Sequence, residues 1–210
     1  THNTAIAGLA LLLGHALFKS TLFLVVGIID HRAGTRDLRL LSGLGREAPV
    51  LATIAALALL SMAGLPPLLG FVAKEAVFTT LLEETGAIGL IGWVALVGVA
   101  LGSVLTVAYS ARFFWGSFAS KRDVEPVRRV HESFDFLLAP ALLALSGLAL
   151  GLFPKAVDLS AALYAEDFPL HGEESYHLAL WHGLEPALFI SAATLALGLT
   201  LFFTVGRRAH

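Results

Sequence analysis

Residues 5–29 read AIAGLALLLGHALFKSTLFLVVGII, and Lys19 is the one lysine, arginine, aspartate or glutamate in this run of 25 residues. A helix of that length, rising about 1.5 Å per residue, crosses a hydrocarbon core of about 30 Å. The run is rich in leucine and alanine and lacks the period-two alternation of a membrane barrel strand. It therefore predicts a transmembrane helix.

The rest of the chain has the same apolar character. Hydrophobic residues make up 57% of its 210 residues and charged residues 14%, whereas a typical soluble domain has about 25% charged residues. No soluble domain or linker interrupts it, so the sequence predicts an all-α, multi-pass transmembrane helical bundle that forms a single domain over residues 1–210. Besides residues 5–29, four more apolar segments are long enough to span a membrane, at about residues 49–82, 88–118, 134–153 and 184–205.

Composition also excludes several classes of function. The net charge is −2, which gives no basic surface for a nucleic acid partner. The chain has no cysteine, so thiolate metal sites, cysteine-bound iron–sulfur clusters and disulfides are excluded, and we predict no metal and no cofactor. Because the chain starts with neither a methionine nor a charged leader, we expect no signal peptide and treat the sequence as part of a longer protein.

The lysines and arginines outside the five segments lie almost all in alternate connections. Residues 30–47, 119–133 and 206–210 contain ten of them, and the connections between these contain only Lys155. Connections rich in lysine and arginine stay in the cytoplasm, so these three stretches are predicted to face it. The long connection 154–183 would then lie outside, and its many acidic residues predict a solvated loop. Its three histidines leave an external cation site as the less favoured alternative.

Two side chains in the first segment can exchange protons. Lys19 lies near the middle of the segment, where inserting a lysine costs about 2.5–3.5 kcal/mol. His15 precedes it by four residues, which places both on one helical face about 6 Å apart along the axis. Imidazole titrates near neutral pH. The pair predicts a proton relay; a lysine that snorkels to the interface, or a structural ion pair, is the alternative.

The second segment is interrupted by a motif that cannot continue a helix, GLPPLLGF at residues 64–71. Pro66 and Pro67 remove two backbone donors, and Pro67 disfavours helical backbone at Pro66. Gly64 and Gly70 permit the remaining turn. Non-helical backbone at membrane depth survives only where protein buries it or water reaches it. These four residues predict a broken-helix hinge, and a merely kinked helix is the alternative.

Lys74 and Glu75 follow this hinge directly. Transporters place ion sites at such discontinuous helices, so Lys74 is predicted to be a second proton carrier. Adjacent positions on a helix lie about 100° apart around its axis. Glu75 is therefore not expected to be a simple ion-pair partner of Lys74, and it is predicted as an accessory residue.

The motifs HALFK at residues 15–19 and GLPPLLGFVAKE at residues 64–75 together resemble a known family. It comprises the proton-translocating, antiporter-like subunits shared by respiratory complex I and the multisubunit Mrp-type Na⁺/H⁺ antiporters. Within this family the chain is most similar to the large A subunits of Mrp antiporters. The residues that favour them are VGIIDHRAGTRD at 26–37, GSVLTVAYSARF at 102–113 and WHGLEP at 181–186.

The resemblance implies roles for particular residues. Lys19 takes the place of the central relay lysine, His15 that of the relay histidine and Lys74 that of the lysine beside the broken helix. Two positions depart from the family pattern. Leu11 stands where complex I relatives often have a second histidine, and Ala73 replaces the usual serine before the lysine.

The resemblance also implies a function. The chain would be part of a monovalent cation (Na⁺)/proton antiporter in the bacterial inner membrane, and not an enzyme. Its partners would be other small membrane subunits of the complex, the lipid bilayer, and Na⁺ and H⁺ as transported ions. The proton-pumping membrane subunit of NADH:quinone oxidoreductase is the alternative. A third class, a membrane scaffold without an ion path, is disfavoured by the two lysines within the spans.

Overall fold

The computed structural model describes residues 1–122, 124–127, 134–170 and 174–205. In these ranges every regular element is a helix, which confirms the predicted all-α, multi-pass bundle. The eight helices are α1 His2–Ala33, α2 Leu44–Glu47, α3 Pro49–Ala63, α4 Leu69–Ile88, α5 Leu90–Phe118, α6 Phe134–Leu152, α7 Lys155–Ala165 and α8 Pro186–Thr204.

Four of the described helices are long and apolar enough to cross a membrane, namely α1, α5, α6 and α8. The remaining predicted segment, residues 49–82, holds two helices in sequence. α3 is apolar but only 15 residues long, and α4 has 20 residues that include four charged side chains. Because α3 ends at Ala63 and α4 begins at Leu69, the interruption is a break between two helices rather than a kink in one.

The described parts of two basic connections meet at one end of the bundle. The N–H of Gly43 donates to the carbonyl of Ala119 at 3.0 Å, and the N–H of Val127 donates to the carbonyl of Ser42 at 3.0 Å. The backbone N–H of Lys121 donates to the Ser42 hydroxyl at 2.9 Å. The connections after α1 and after α5 therefore lie on the same side. Residues 128–133 and 206–210, which belong to the same prediction, lie outside the described residues.

The start of α1 lies at the opposite end and is held by buried polar side chains. Nδ1 of His2 donates to the carbonyl of Ala165, the last residue of α7, at 2.8 Å. The Asn3 side chain donates to the carbonyl of Glu174 at 3.1 Å and accepts from the N–H of Tyr176 at 2.9 Å. These contacts fix the segment before α8 against the first turn of α1.

The prediction of a solvated loop over residues 154–183 is wrong for much of its length. Lys155–Ala165 forms α7, whose buried side chains Val157, Ala161 and Ala165 pack in the same cluster as Ile6 and Ala7 of α1. Leu178 is also buried there. Residues 171–173 of this stretch lie outside the described residues. Within the described ranges no group of three or more histidine, aspartate or glutamate side chains could hold a metal ion, so the external cation site finds no support.

Candidate ion-translocation site

The first two predicted site residues share one face of α1. α1 is continuous over its 32 residues, so the four-residue spacing of His15 and Lys19 keeps them one turn apart. Both side chains line a cavity of about 160 Å³. In this chain His15 is exposed and Lys19 is half-buried. The ring of His15 also contacts that of Phe18, with 5.1 Å between the ring centroids.

α3 ends in a left-handed turn that only glycine accommodates well. Gly64 has φ 84°, and its N–H donates to the carbonyls of Leu60 and Ser61 at 3.1 Å and 3.0 Å. A Cβ at this position would lie 2.6 Å from Cδ of Lys74. The absence of a side chain at Gly64 therefore permits the left-handed turn and also leaves room for the Lys74 side chain.

Lys74 reaches back to the carbonyl that the break leaves open. In a continuous helix the Ala63 carbonyl would accept from the N–H four residues on, but that residue is Pro67, which has none. The Lys74 ammonium donates to this carbonyl at 2.7 Å instead. A cation at a helix C-terminus is also favoured by the helix dipole. The proline pair thus creates the acceptor that holds Lys74.

The two halves of the broken helix approach closely at Gly70. Its N–H donates to the Ser61 hydroxyl at 3.2 Å. A Cβ on Gly70 would lie 1.9 Å from the Ser61 carbonyl oxygen, so no larger residue fits without separating α3 from α4. Between these contacts the chain passes through the cis Pro66–Pro67 bond. The four predicted hinge residues thus all lie at the break itself or at the first turn of α4.

One cavity brings three predicted site residues together. Lys74 lines the same 160 Å³ space as His15 and Lys19, and the remaining lining comes from α1, α3, α4 and α5. Hydroxyl groups of Ser61 and Thr106 add polar surface to it. A cavity of this size with polar groups in its wall has room for several water molecules. The fold therefore brings the three side chains to the wall of one space that water can enter.

Glu75 does not take part in this cavity. It lies on the other side of α4, where it accepts a hydrogen bond from the Ser191 hydroxyl of α8, and it is only 8% exposed. None of the ion pairs among the described residues joins it to Lys74. This agrees with the 100° offset expected from the sequence.

The cavity wall also contains two residues of α5, Thr106 and Tyr109, that the sequence alone did not mark as site residues. Nζ of Lys19 lies over the Tyr109 ring, 5.8 Å from its centroid. Tyr109 and Lys19 also line a second cavity of about 180 Å³. The spacing of three between Thr106 and Tyr109 puts two hydroxyl groups on one face of an apolar helix, but it does not tell which neighbouring helix that face meets.

The family comparison covers this same region. A family model described as "NADH:quinone oxidoreductase/Mrp antiporter, TM" matches residues 1–106, half of the chain, including α1, the break and Lys74. The chain belongs to this family. Membership confirms the resemblance drawn from the HALFK and GLPPLLGFVAKE motifs, and it identifies the chain as part of a multi-pass membrane protein.

Several similar relatives are named as antiporter subunits. The A subunit of the Na(+)/H(+) antiporter of Bacillus subtilis is 35% identical over 206 residues, which cover 92% of this chain and 26% of that protein. The A/B subunit of a probable K(+)/H(+) antiporter of Rhizobium meliloti is 35% identical over 202 residues, 95% of this chain and 20% of that protein. The chain therefore spans about a fifth to a quarter of the length of these relatives.

A solved structure of the family has the same fold. In the structure of the Mrp complex from Dietzia sp. DQ12-45-1b, one chain matches with a TM-score of 0.81 and 36% sequence identity. The match covers 99% of this chain and 22% of that chain. Together with the relatives it confirms that, within the family, the chain resembles the A subunits of Mrp-type antiporters. Those relatives are named as transporters rather than enzymes.

Proposed function

We propose that this chain carries part of the transmembrane proton pathway of a multisubunit Na⁺/H⁺ antiporter, with Lys19, His15 and Lys74 as the proton-carrying residues. The observation that supports the proposal most is the single cavity of about 160 Å³ that all three side chains line. They come from positions up to 59 residues apart in the sequence (74 − 15), so the fold rather than the chain order unites them.

Two lysines around one cavity favour exchange of a proton over permanent charge. Among the described residues no carboxylate lies within ion-pair distance of either ammonium group. Two ammonium groups that line one cavity with no carboxylate beside them repel each other, which supports proton exchange rather than a fixed pair of charges.

The hydrogen bond of Lys74 suits a group that changes its charge. A neutral amine still has two N–H donors, so Lys74 can keep the Ala63 carbonyl satisfied after it loses a proton. The hinge at Gly64, Pro66, Pro67 and Gly70 is needed because it opens that carbonyl and shapes the cavity wall. Glu75 is an accessory group that ties α4 to α8 through Ser191.

The names of the relatives support the proposals of antiport and of a place in a multisubunit membrane complex. The name of the Bacillus subtilis relative gives Na⁺ as the exchanged cation, and that of the Rhizobium meliloti relative gives K⁺. The Dietzia structure is of an Mrp complex. We therefore propose that the protein works in the bacterial inner membrane together with other small membrane subunits.

The test uses inverted membrane vesicles in which respiration has acidified the lumen, followed by a pH-sensitive dye. Vesicles that contain the complete complex should lose the pH gradient when Na⁺ is added, and vesicles whose complex lacks this subunit should not. Choline chloride at the same ionic strength is the control. Loss of the gradient with choline, or no response to Na⁺ in the complete complex, would contradict Na⁺/H⁺ antiport.

A further inference from the structure

Lys19 faces an aromatic ring rather than an acid. Its Nζ lies 5.8 Å from the centroid of the Tyr109 ring, within the range in which a cation is attracted to the negative face of the ring. Among the described residues Lys19 has no hydrogen bond and no ion pair. The ring of Tyr109 is thus the one described group with an attractive electrostatic contact to this ammonium.

Tyr109 also lies where two cavities meet. The 160 Å³ cavity with His15 and Lys74 and the 180 Å³ cavity further along α1 share three lining residues, Lys19, Met62 and Tyr109. The Tyr109 hydroxyl contacts Sδ of Met62 at 3.6 Å, which links the half-exposed ring to α3. Lys19 and Tyr109 therefore sit at the boundary between the two cavities.

We propose that Tyr109 is a positioning residue for Lys19, whose ring face holds the charged ammonium at the boundary of the two cavities. The inference deepens the proposed function and rests on it. A carboxylate in this place would hold the proton on Lys19 strongly, because a buried ion pair that loses one charge leaves the other uncompensated. A ring attracts the ammonium but leaves no net charge behind when the amine becomes neutral. A contact with a ring can therefore position the amine of Lys19 without preventing the loss of its proton.

The charged and titratable groups that face Lys19 can be named element by element. They are His15 on α1, Lys74 on α4 and Tyr109 on α5, while α3 contributes the uncharged Ser61 and Met62. Of these described groups, the Tyr109 ring is the one in attractive contact with the ammonium of Lys19. Removing the ring should therefore leave the ammonium less well held at the boundary of the two cavities and slow transport.

The experiment replaces Tyr109 in the full-length protein within the assembled complex and measures Na⁺-driven dissipation of ΔpH. Y109F keeps the ring and should stay within about twofold of wild type, whereas Y109L should be about 3- to 30-fold slower. Phenylalanine analogues with one, two and three ring fluorines, introduced by amber suppression, keep the shape but weaken the negative face. Transport should fall stepwise along that series. F114L, five residues further on α5 and against a different, apolar cavity, should be unchanged.

The fluorinated series decides the matter even if Y109L does not assemble, because its members differ little in shape. Equal transport by all fluorinated variants would overturn the role of the ring. If K19A is inactive while the series is flat, only this inference fails. If K19A transports normally, the proposed function itself fails.

Discussion

At the residue scale, the position of Lys74 follows from a missing backbone donor. Pro67 cannot supply the N–H that the Ala63 carbonyl would accept in a helix, and the ammonium of Lys74 takes that place at 2.7 Å. The side chain passes over Gly64, where a Cβ would collide with it. One local feature of the sequence, a proline pair followed by a lysine, thus accounts for both the free Ala63 carbonyl and the ammonium group that donates to it.

The substitution Lys74→Arg tests whether the side chain at position 74 must release a proton. Arginine keeps the charge and can still donate to Ala63, but it stays protonated throughout the working pH range. We expect the variant to assemble and its Na⁺-driven dissipation of ΔpH to fall below about a tenth of the wild-type rate.

Glu75→Gln is the matched comparison for Lys74→Arg. It changes the adjacent side chain, which points to α8, and an amide oxygen can still accept from Ser191. We expect it to keep partial exchange. Exchange near the wild-type rate in the arginine variant would remove Lys74 from the proton carriers and leave it as a fixed charge.

Part of the site could be predicted from the sequence at this scale. The shared face of His15 and Lys19 follows from their spacing alone, and so does the divergence of Lys74 and Glu75. Tyr109 and Ser61 could not be assigned to the cavity, because their place depends on how α5 and α3 pack against α1. Likewise no local pattern pairs Glu75 with Ser191, 116 residues away.

At the scale of elements, the break between α3 and α4 depends on glycine. Gly64→Ala would force an L-residue into left-handed backbone at φ 84°, at a cost of about 1–2 kcal/mol. Its methyl group would also displace the Lys74 side chain from the Ala63 carbonyl. We expect a lower thermal unfolding temperature of the purified complex together with a loss of exchange.

Gly86→Ala on α4 is the control for that substitution. Gly86 lies within a helix, and a Cβ there would meet no atom within 4 Å. Alanine should be neutral or slightly stabilising in such a position. Equal behaviour of the two variants would show that the left-handed turn at residue 64 is not required.

The segment that packs against the start of α1 should loosen at alkaline pH. Burial raises the pKa of Tyr176 above the usual value of about 10, so above that pH the unfolded segment loses a proton that the folded one keeps. The stability contributed by neutral Tyr176 is therefore present below pH ~10 and lost as the pH rises further. Hydrogen exchange of residues 174–178, corrected for its intrinsic pH dependence, should accelerate in that range.

Tyr176→Phe keeps the ring but cannot ionise, so its exchange should not accelerate in that range. If wild type and the phenylalanine variant respond to alkaline pH alike, the phenol is not the group that couples this segment to pH.

The elements that the sequence predicts best are the long apolar ones. Four predicted segments correspond to the helices α1, α5, α6 and α8. A run of about twenty apolar residues in a membrane must form a helix, because only a helix satisfies its backbone hydrogen bonds within the segment. α7 was missed because it is short and because only one narrow face of it is buried. That face consists of three small or medium side chains, Val157, Ala161 and Ala165. That pattern becomes a helix only through packing against α1.

At the scale of the whole molecule, the two ends of the bundle differ in charge. The connections after α1 and α5 meet at one end, and they contain most of the lysines and arginines that predict a cytoplasmic side. α7 and the segment before α8 lie at the other end with the start of α1. The contacts therefore place the two basic connections at one end and the acidic connection at the other, as the alternation of charge predicts.

Single cysteines can test this sidedness, because the chain has none of its own. Ser120 and Asp167 are both exposed and lie at opposite ends of the bundle. In right-side-out vesicles an impermeant thiol reagent should label Asp167→Cys, and Ser120→Cys should react only after the membrane is opened. Labelling of both variants from the same side would contradict the arrangement of five spans.

The most direct test of the whole account is the Na⁺-driven loss of ΔpH in inverted vesicles that contain assembled Lys19→Ala complexes. Removing a charge from the middle of α1 relieves an insertion cost, so assembly should be intact, while exchange should be abolished. His15→Ala should slow exchange less, because water can bridge the gap that the imidazole leaves. Wild-type rates in assembled Lys19→Ala complexes would contradict the claim that protons cross this cavity by way of Lys19.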